Sequence, residues 1–176
     1  NLGLTPLEES EEEYNGQAES TDTSENSRAT WSVTERKRYD FWQAFLAYAQ
    51  KNDEFKTYFG GTKKAGKDHW KNFYVSGADF YISVVLKLGE RAIALQVYFD
   101  RTTDTYYHLA TQKKEIEAEM ETTYEWRENP EKKSSTIVER IDDIDFEDKE
   151  HWTTIFDLII TRTLRMREVF VKYSKQ

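Results

Sequence analysis

Two runs of alternating apolar residues constrain this chain more than any other feature. Phe80, Ile82, Val84 and Leu86 take every second position of one run, and Ile93, Leu95, Val97 and Phe99 do so in the other. A period of two belongs to a strand, whose successive side chains point to opposite faces. Gly89-Glu90 lies between the runs and predicts a two-residue turn, with glycine at the positive-φ position of type II′. Pairing Leu88 with Arg91 then sets Leu86 opposite Ile93, Val84 opposite Leu95, Ile82 opposite Val97 and Phe80 opposite Phe99. A slip of one residue would turn every apolar side chain to the wrong face, so this register is tightly specified. The second face carries Tyr81, Ser83, Val85, Ala94, Gln96 and Tyr98, a mixed set that predicts only partial cover.

Helical spacing surrounds this hairpin. Ser32 and Glu35 form an S-x-x-E capping box, after which Arg38, Phe41, Trp42, Phe45, Tyr48 and Ala49 predict a helix running to about Lys51. Phe55, Tyr58 and Phe59 predict a short helical turn closed by Gly60-Gly61. Tyr106, Leu109, Ala110, Ile116 and Met120 predict a second long helix over 104–121. Residues 124–127 and 136–141 read as strands around Asn129-Pro130. A last helix begins after Asp148, a good N-cap, with the stripe Trp152, Ile155, Phe156, Ile159, Ile160, Leu164 and Phe170. The order α-β-β-α-β-β-α predicts an α/β or α+β domain with a mainly antiparallel, four-stranded sheet and packed helices. No internal repeat is visible.

Charge divides the chain unevenly. Residues 1–30 hold eight acids and one base, Arg28, a local charge of −7 within a total of −8. Leu2, Leu4, Leu7 and Tyr14 are the sizeable apolar residues there, too few to offset the entropy of ordering the segment. Residues 1–30 are therefore expected to be a disordered acidic linker or tail, with order beginning near Trp31 and one near-neutral globular domain over 31–176. A domain of that length buries roughly 68–70% of its unfolded surface. The chain contains no cysteine, which excludes disulfides, thiolate zinc sites and thiol nucleophiles. No apolar run approaches the roughly 18 residues of a membrane span, and no signal-peptide pattern opens the chain. The expectation is a cytoplasmic protein with no membrane contact. A polar lead that begins at Asn1 reads as an interdomain linker, so the chain is expected to be the C-terminal part of something longer.

A larger pattern runs through the aromatic residues: Arg38-x-x-Phe41-Trp42-x-x-Phe45, His69-Trp70, Leu109 with Lys113-Lys114-Glu115-Ile116-Glu117, Trp126, and Trp152 before Phe170. In order and spacing it resembles a prokaryotic family catalogued as domain of unknown function 4268, over roughly residues 36–172. That resemblance implies a domain often placed C-terminal to a restriction-endonuclease-like domain, in a setting of DNA processing or defence. It implies no activity for the domain itself.

Residue chemistry marks the candidate sites. A metal-dependent nuclease core of the PD-(D/E)XK type needs an Asp on one strand and an acid and lysine on the next, because magnesium takes hard oxygen ligands. Asp79 is a weak candidate for the first position; the facing strand offers Gln96-Val97-Tyr98 instead. A degenerate, inactive restriction-endonuclease-like core remains an alternative on fold analogy. Gly61-Thr62-Lys63-Lys64-Ala65-Gly66-Lys67 has phosphate-loop spacing, but Asp68 stands next where Ser or Thr should bind magnesium, and a helical segment precedes where a strand is needed. Residues 51–71 are nevertheless locally basic, with six lysines against three acids. Lys63, Lys64, Lys67, Trp70 and Lys71 are thus candidate nucleic-acid contacts, ammonium groups for phosphates and rings for bases. The acidic run at 142–148 lacks the glycine and the bidentate acid of an EF-hand and reads as a capped strand-to-helix connection. His69, His108 and His151 show no ligand spacing, and no cofactor is called for.

Taken together, these features predict a non-catalytic accessory binding or assembly module, C-terminal to a nuclease-like DNA-processing domain. Its expected partners are nucleic acid, through the lysine loop, or that upstream domain. One alternative is a protein-interaction or dimerisation domain, a homo-oligomer included, using the last helix or the mixed hairpin face. Another is a cryptic metal-dependent nuclease centred on Asp79. The acidic lead could also fold back on the basic loop and compete with nucleic acid.

Overall fold

The computed structural model describes Gly16, residues 22–60 and residues 63–176. Its elements are α1 (Glu25–Arg28), α2 (Val33–Ala49), α3 (Asp53–Phe59), β1 (Trp70–Tyr74), β2 (Tyr81–Lys87), β3 (Ala92–Phe99), α4 (Asp104–Ala110), α5 (Lys113–Met120), β4 (Glu125–Asn129), β5 (Ser134–Ile141) and α6 (Trp152–Ser174). The strands form one sheet in the order β1-β2-β3-β5-β4, with every neighbouring pair antiparallel. The fold is α+β.

The hairpin register holds: Leu86 faces Ile93, Val84 faces Leu95 and Ile82 faces Val97. Its turn differs from the two-residue expectation. Leu88–Glu90 forms a short 3-10 turn, closed by the Arg91 amide donating to the Leu88 carbonyl at 3.2 Å. Arg91, not Gly89, takes the left-handed conformation, at φ 51°. A longer loop built on a tight turn and one left-handed residue closes a hairpin without altering its register.

The sheet has five strands rather than four. β1 was hidden because one of its core-facing residues is Lys71, which breaks the apolar alternation that Phe73 alone cannot establish. The helix expected over 104–121 is two helices: Thr111 bonds back to the His108 carbonyl, and Gln112 gives its side-chain amide to the Tyr173 carbonyl of α6 at 2.9 Å. Such local side-chain bonds compete with helix continuation. Asp148 caps a 3-10 turn, Lys149–His151, and α6 begins only at Trp152. Order begins before Trp31, since α1 lies in residues 25–28 and Ser24 caps it. The disorder expected of residues 1–15 and 17–21 concerns positions outside the described residues. The capping box of α2 is present in both directions, Ser32 to Glu35 and back.

One core holds the domain together. The inward residues of the hairpin, with Phe73 and Ile137, pack against Phe41, Phe45, Phe55, Tyr106, Ile116, Phe156 and Phe170 from α2 to α6. Phe41 is its aromatic centre, edge-on to Phe146, Trp152 and Phe156 at 5.2–5.5 Å between ring centroids. Such pairs are worth about 0.5–1.5 kcal/mol each beyond the area they bury. Within this helical side, Glu139 of β5 receives two bonds from Arg162 of α6, at 2.9 and 3.1 Å, and one from the Tyr124 hydroxyl. Burial and the neighbouring Glu139 push the Tyr124 hydroxyl pKa far up, so it stays protonated and donates. Helices α2–α6 therefore sit on one side of the sheet, which leaves the other side distinct.

Candidate functional site

Strand pairing arranges the second face in three cross-strand rows. Trp70, Val85, Ala94 and Arg140 form the first. Asn72, Ser83, Gln96, Val138 and Glu125 form the second, and Tyr74, Tyr81, Tyr98, Thr136 and Arg127 the third. The tyrosines make a ladder: Tyr74 and Tyr81 lie 5.1 Å apart, Tyr81 and Tyr98 5.3 Å apart and stacked. Tyr81 donates to the Asp100 carboxylate, and Ser83 to the Asn72 side-chain oxygen. Trp70, Tyr81, Val85, Ala94, Tyr98 and Val138 form a second buried cluster to which none of α2–α6 contributes a side chain. The partial cover expected of the hairpin residues is thus corrected: all six are buried.

Two features border this face. Gly16, at φ 83°, lies so close that a Cβ there would come 2.7 Å from the Tyr98 hydroxyl oxygen. Toward β4 a cavity of about 350 Å³ is bordered by Lys87, Arg127 and Arg140. Arg140 pairs with Glu90 at 2.6 Å and Asp142 at 2.9 Å, and Arg127 with Glu125. Hairpin alternation places Tyr81 and Tyr98 on this face but leaves out Tyr74 beside them. The alternation of Trp70, Asn72 and Tyr74 was the available signal.

The lysine loop is tied inward. Lys63 donates to the Asn72 carbonyl at 2.8 Å and lies over the Phe73 and Tyr74 rings. Lys71 is buried, donates to the Lys64 carbonyl at 2.7 Å and sits 6.0 Å from the Trp42 ring. Lys67 pairs with Glu35 at 3.1 Å. Burial opposes the Glu35 charge, but the Ser32 amide and the Lys67 ammonium outweigh it and hold this carboxyl below the usual glutamate range. Trp70 belongs to the second buried cluster, and Lys64 projects into solvent. The five candidates therefore share a neighbourhood but do not present one row of ammonium groups.

Asp79 is exposed in the connection between β1 and β2. The residues of β3 that face β2 carry no charge. Of the phosphate-loop segment, Gly61 and Thr62 lie outside the described residues; past Lys67 the chain enters β1 rather than a helix. Among the described residues, one group of acids and histidine comes within metal-ligand distance: Asp145, Asp148 and His151. Their atoms serve local structure: Asp145 accepts the Glu147 and Asp148 amides, Asp148 accepts the Glu150 amide, and His151 lies 2.8 Å from Asp148. Spacing alone does not connect His151 to the acidic run; the 3-10 turn before α6 brings it there.

This geometry defines an α+β domain with one helix-backed sheet and a polar-aromatic second face. The chain belongs to the family described as Domain of unknown function (DUF4268), whose sequence profile matches residues 37–174. No curated protein and no solved structure matches it. No helix among the described residues is long and apolar enough to cross a membrane.

Proposed function

We propose that this domain is a non-catalytic accessory module that binds polypeptide across the face of its sheet opposite α2–α6, and so assembles or positions a DNA-processing partner. The observation that carries this reading is the tyrosine ladder Tyr74–Tyr81–Tyr98 with Trp70, on a face that no helix of α2–α6 packs against. Tyrosine and tryptophan offer large contact area with few rotatable bonds, and Asn, Ser and Gln beside them supply adaptable hydrogen bonds. Interface centres are depleted of charge in the same way. The DNA-processing setting rests on the family resemblance, and a cysteine-free chain suits the reducing cytoplasm.

Polypeptide is preferred over nucleic acid because Lys63, Lys67 and Lys71 are engaged within the domain and its charge outside the lead is near neutral. A nucleic-acid surface needs a broad basic footprint. Fluorescence anisotropy of labelled double- and single-stranded DNA, at two salt concentrations, tests this choice. The expected result is no salt-sensitive binding, and no change in Lys63→Glu, Lys64→Glu and Lys67→Glu combined. Salt-sensitive binding that this triple change abolishes would overturn the polypeptide reading in favour of nucleic acid.

A further inference from the structure

We infer that this domain pairs with a second copy of itself through α2, Val33 of each copy entering a small socket on the other. The socket lies where α2, the turn after β2 and the start of α6 meet, and Phe41, Leu88, Phe146 and Trp152 line it. Its volume is about 90 Å³, below the roughly 150 Å³ that holds a benzene ring and far below the ~300 Å³ at which small-molecule sites begin. A socket of that size takes one branched aliphatic side chain. Among the described residues the exposed large hydrophobic side chains are Val33, Tyr58, Tyr74 and Tyr107, and Val33 alone is aliphatic. It is also the most exposed of them, at 72%.

Knob and socket stand on one helix, as a two-fold contact requires: the same patch serves both copies, each supplying what the other lacks. Val33, Lys37 and Asp40 follow at intervals of four and three residues and so share one face of α2. All three are exposed. From Val33 to Phe41 is eight residues, about 12 Å along the helix, so a two-fold axis beside Lys37 carries each Val33 onto the other copy's socket. The two α2 helices then run antiparallel. Charge agrees at the rim. Lys37 is held by Glu147 at 3.1 Å, and Lys149 lies 5.4 Å from the centre of the Trp152 ring. Asp40 is left as the rim charge with no partner among the described residues. Val33 is the first residue of α2, so its entry brings a positive helix end to that carboxylate. Because α2 lies on the opposite side of the sheet from the tyrosine ladder, pairing leaves both ladders open and gives the assembly two polypeptide-binding faces.

Two knobs make a contact of the small, transient class, so sedimentation equilibrium of the full chain is carried up to about 1 mM, the weak end of specific affinity. A monomer–dimer equilibrium is expected. The chain has no cysteine, so one introduced thiol reports the pairing directly. Lys37→Cys, beside the axis, should form a disulfide-linked dimer on mild oxidation at least about tenfold faster than Thr161→Cys, an exposed position nine residues beyond Trp152 on α6. Val33→Asp should raise the dissociation constant at least about tenfold, since two buried valines are lost, and slow the Lys37→Cys link to the Thr161→Cys rate. An acid at the first helical position favours α2, so the melting temperature should not fall and unfolding cannot explain the loss. Asp40→Lys should weaken pairing several-fold. A strict monomer at about 1 mM overturns the inference. So does a dimer that Val33→Asp leaves intact, or a Lys37→Cys link no faster than the Thr161→Cys one. The face opposite α2–α6 keeps its own reading under each of these results.

Discussion

Glu35 joins two parts of the domain through one carboxylate: it accepts the Ser32 amide at the start of α2 and pairs with Lys67 in the loop before β1. Its pKa is lowered despite the cost of burial. A carboxyl with a depressed folded-state pKa stabilises above its ordinary titration range and loses that contribution as pH falls through the folded value. Stability should therefore decline on the acid side partly through Glu35, and Glu35→Gln should flatten that decline. Melting temperatures of both chains from about pH 7 to about pH 3 provide the check, with a loss near neutrality of about 0.5–1.5 kcal/mol for the variant, typical of a weakened cap. Parallel acid-side curves would remove Glu35 from this role. Ser32 and Glu35 were legible from their spacing alone. Lys67 was legible only as charge, because its partner lies 32 positions away and is brought near by the fold.

Elements were legible in proportion to how cleanly their faces separate. The register of β2 against β3 was readable because every inward position is apolar, although the ladder stops at Tyr81–Tyr98, one pair short of the expected Phe80–Phe99. β1 was not, since a lysine occupies a core-facing position there and reaches a carbonyl outside the strand. The hairpin turn shows a second limit: Gly89 suggested a left-handed residue, yet Arg91 supplies it. A non-glycine residue in that conformation costs roughly 1–2 kcal/mol. Arg91→Gly should thus raise the unfolding free energy by about 0.5–1 kcal/mol after the added chain entropy is counted, and with it the denaturation midpoint. The Arg91 carbonyl, which accepts the Ile144 amide at 2.9 Å, is retained in the variant. A lowered midpoint in urea would show that the arginine side chain contributes more than its backbone strain costs.

At the scale of the whole molecule, one apolar cluster draws residues from every element between α2 and α6. Unfolding of residues 33–174 should accordingly be a single transition, with far-ultraviolet circular dichroism and tryptophan fluorescence coinciding; two separated midpoints would contradict it. The candidate site belongs to this scale as well. Tyr74 stands beside Tyr81, and Tyr81 beside Tyr98, through pairings between β1, β2 and β3, so the ladder exists only once three strands have assembled. The sequence supplied the members but not their adjacency.

The Lys63 bond to Asn72 has a further consequence. Leu86 donates to the His69 carbonyl, and antiparallel hydrogen-bonded pairs alternate along a strand, so the Asn72 carbonyl points away from β2, toward the open margin of the sheet. Lys63 stoppers that margin, while Glu125, Arg127 and Glu128 make the opposite one hydrophilic. A visiting chain that tried to extend the sheet as a sixth strand would meet a plugged acceptor on one side and charges on the other. Both routes to runaway stacking are thereby obstructed, and a visitor is left with the broad side of the sheet as its approach.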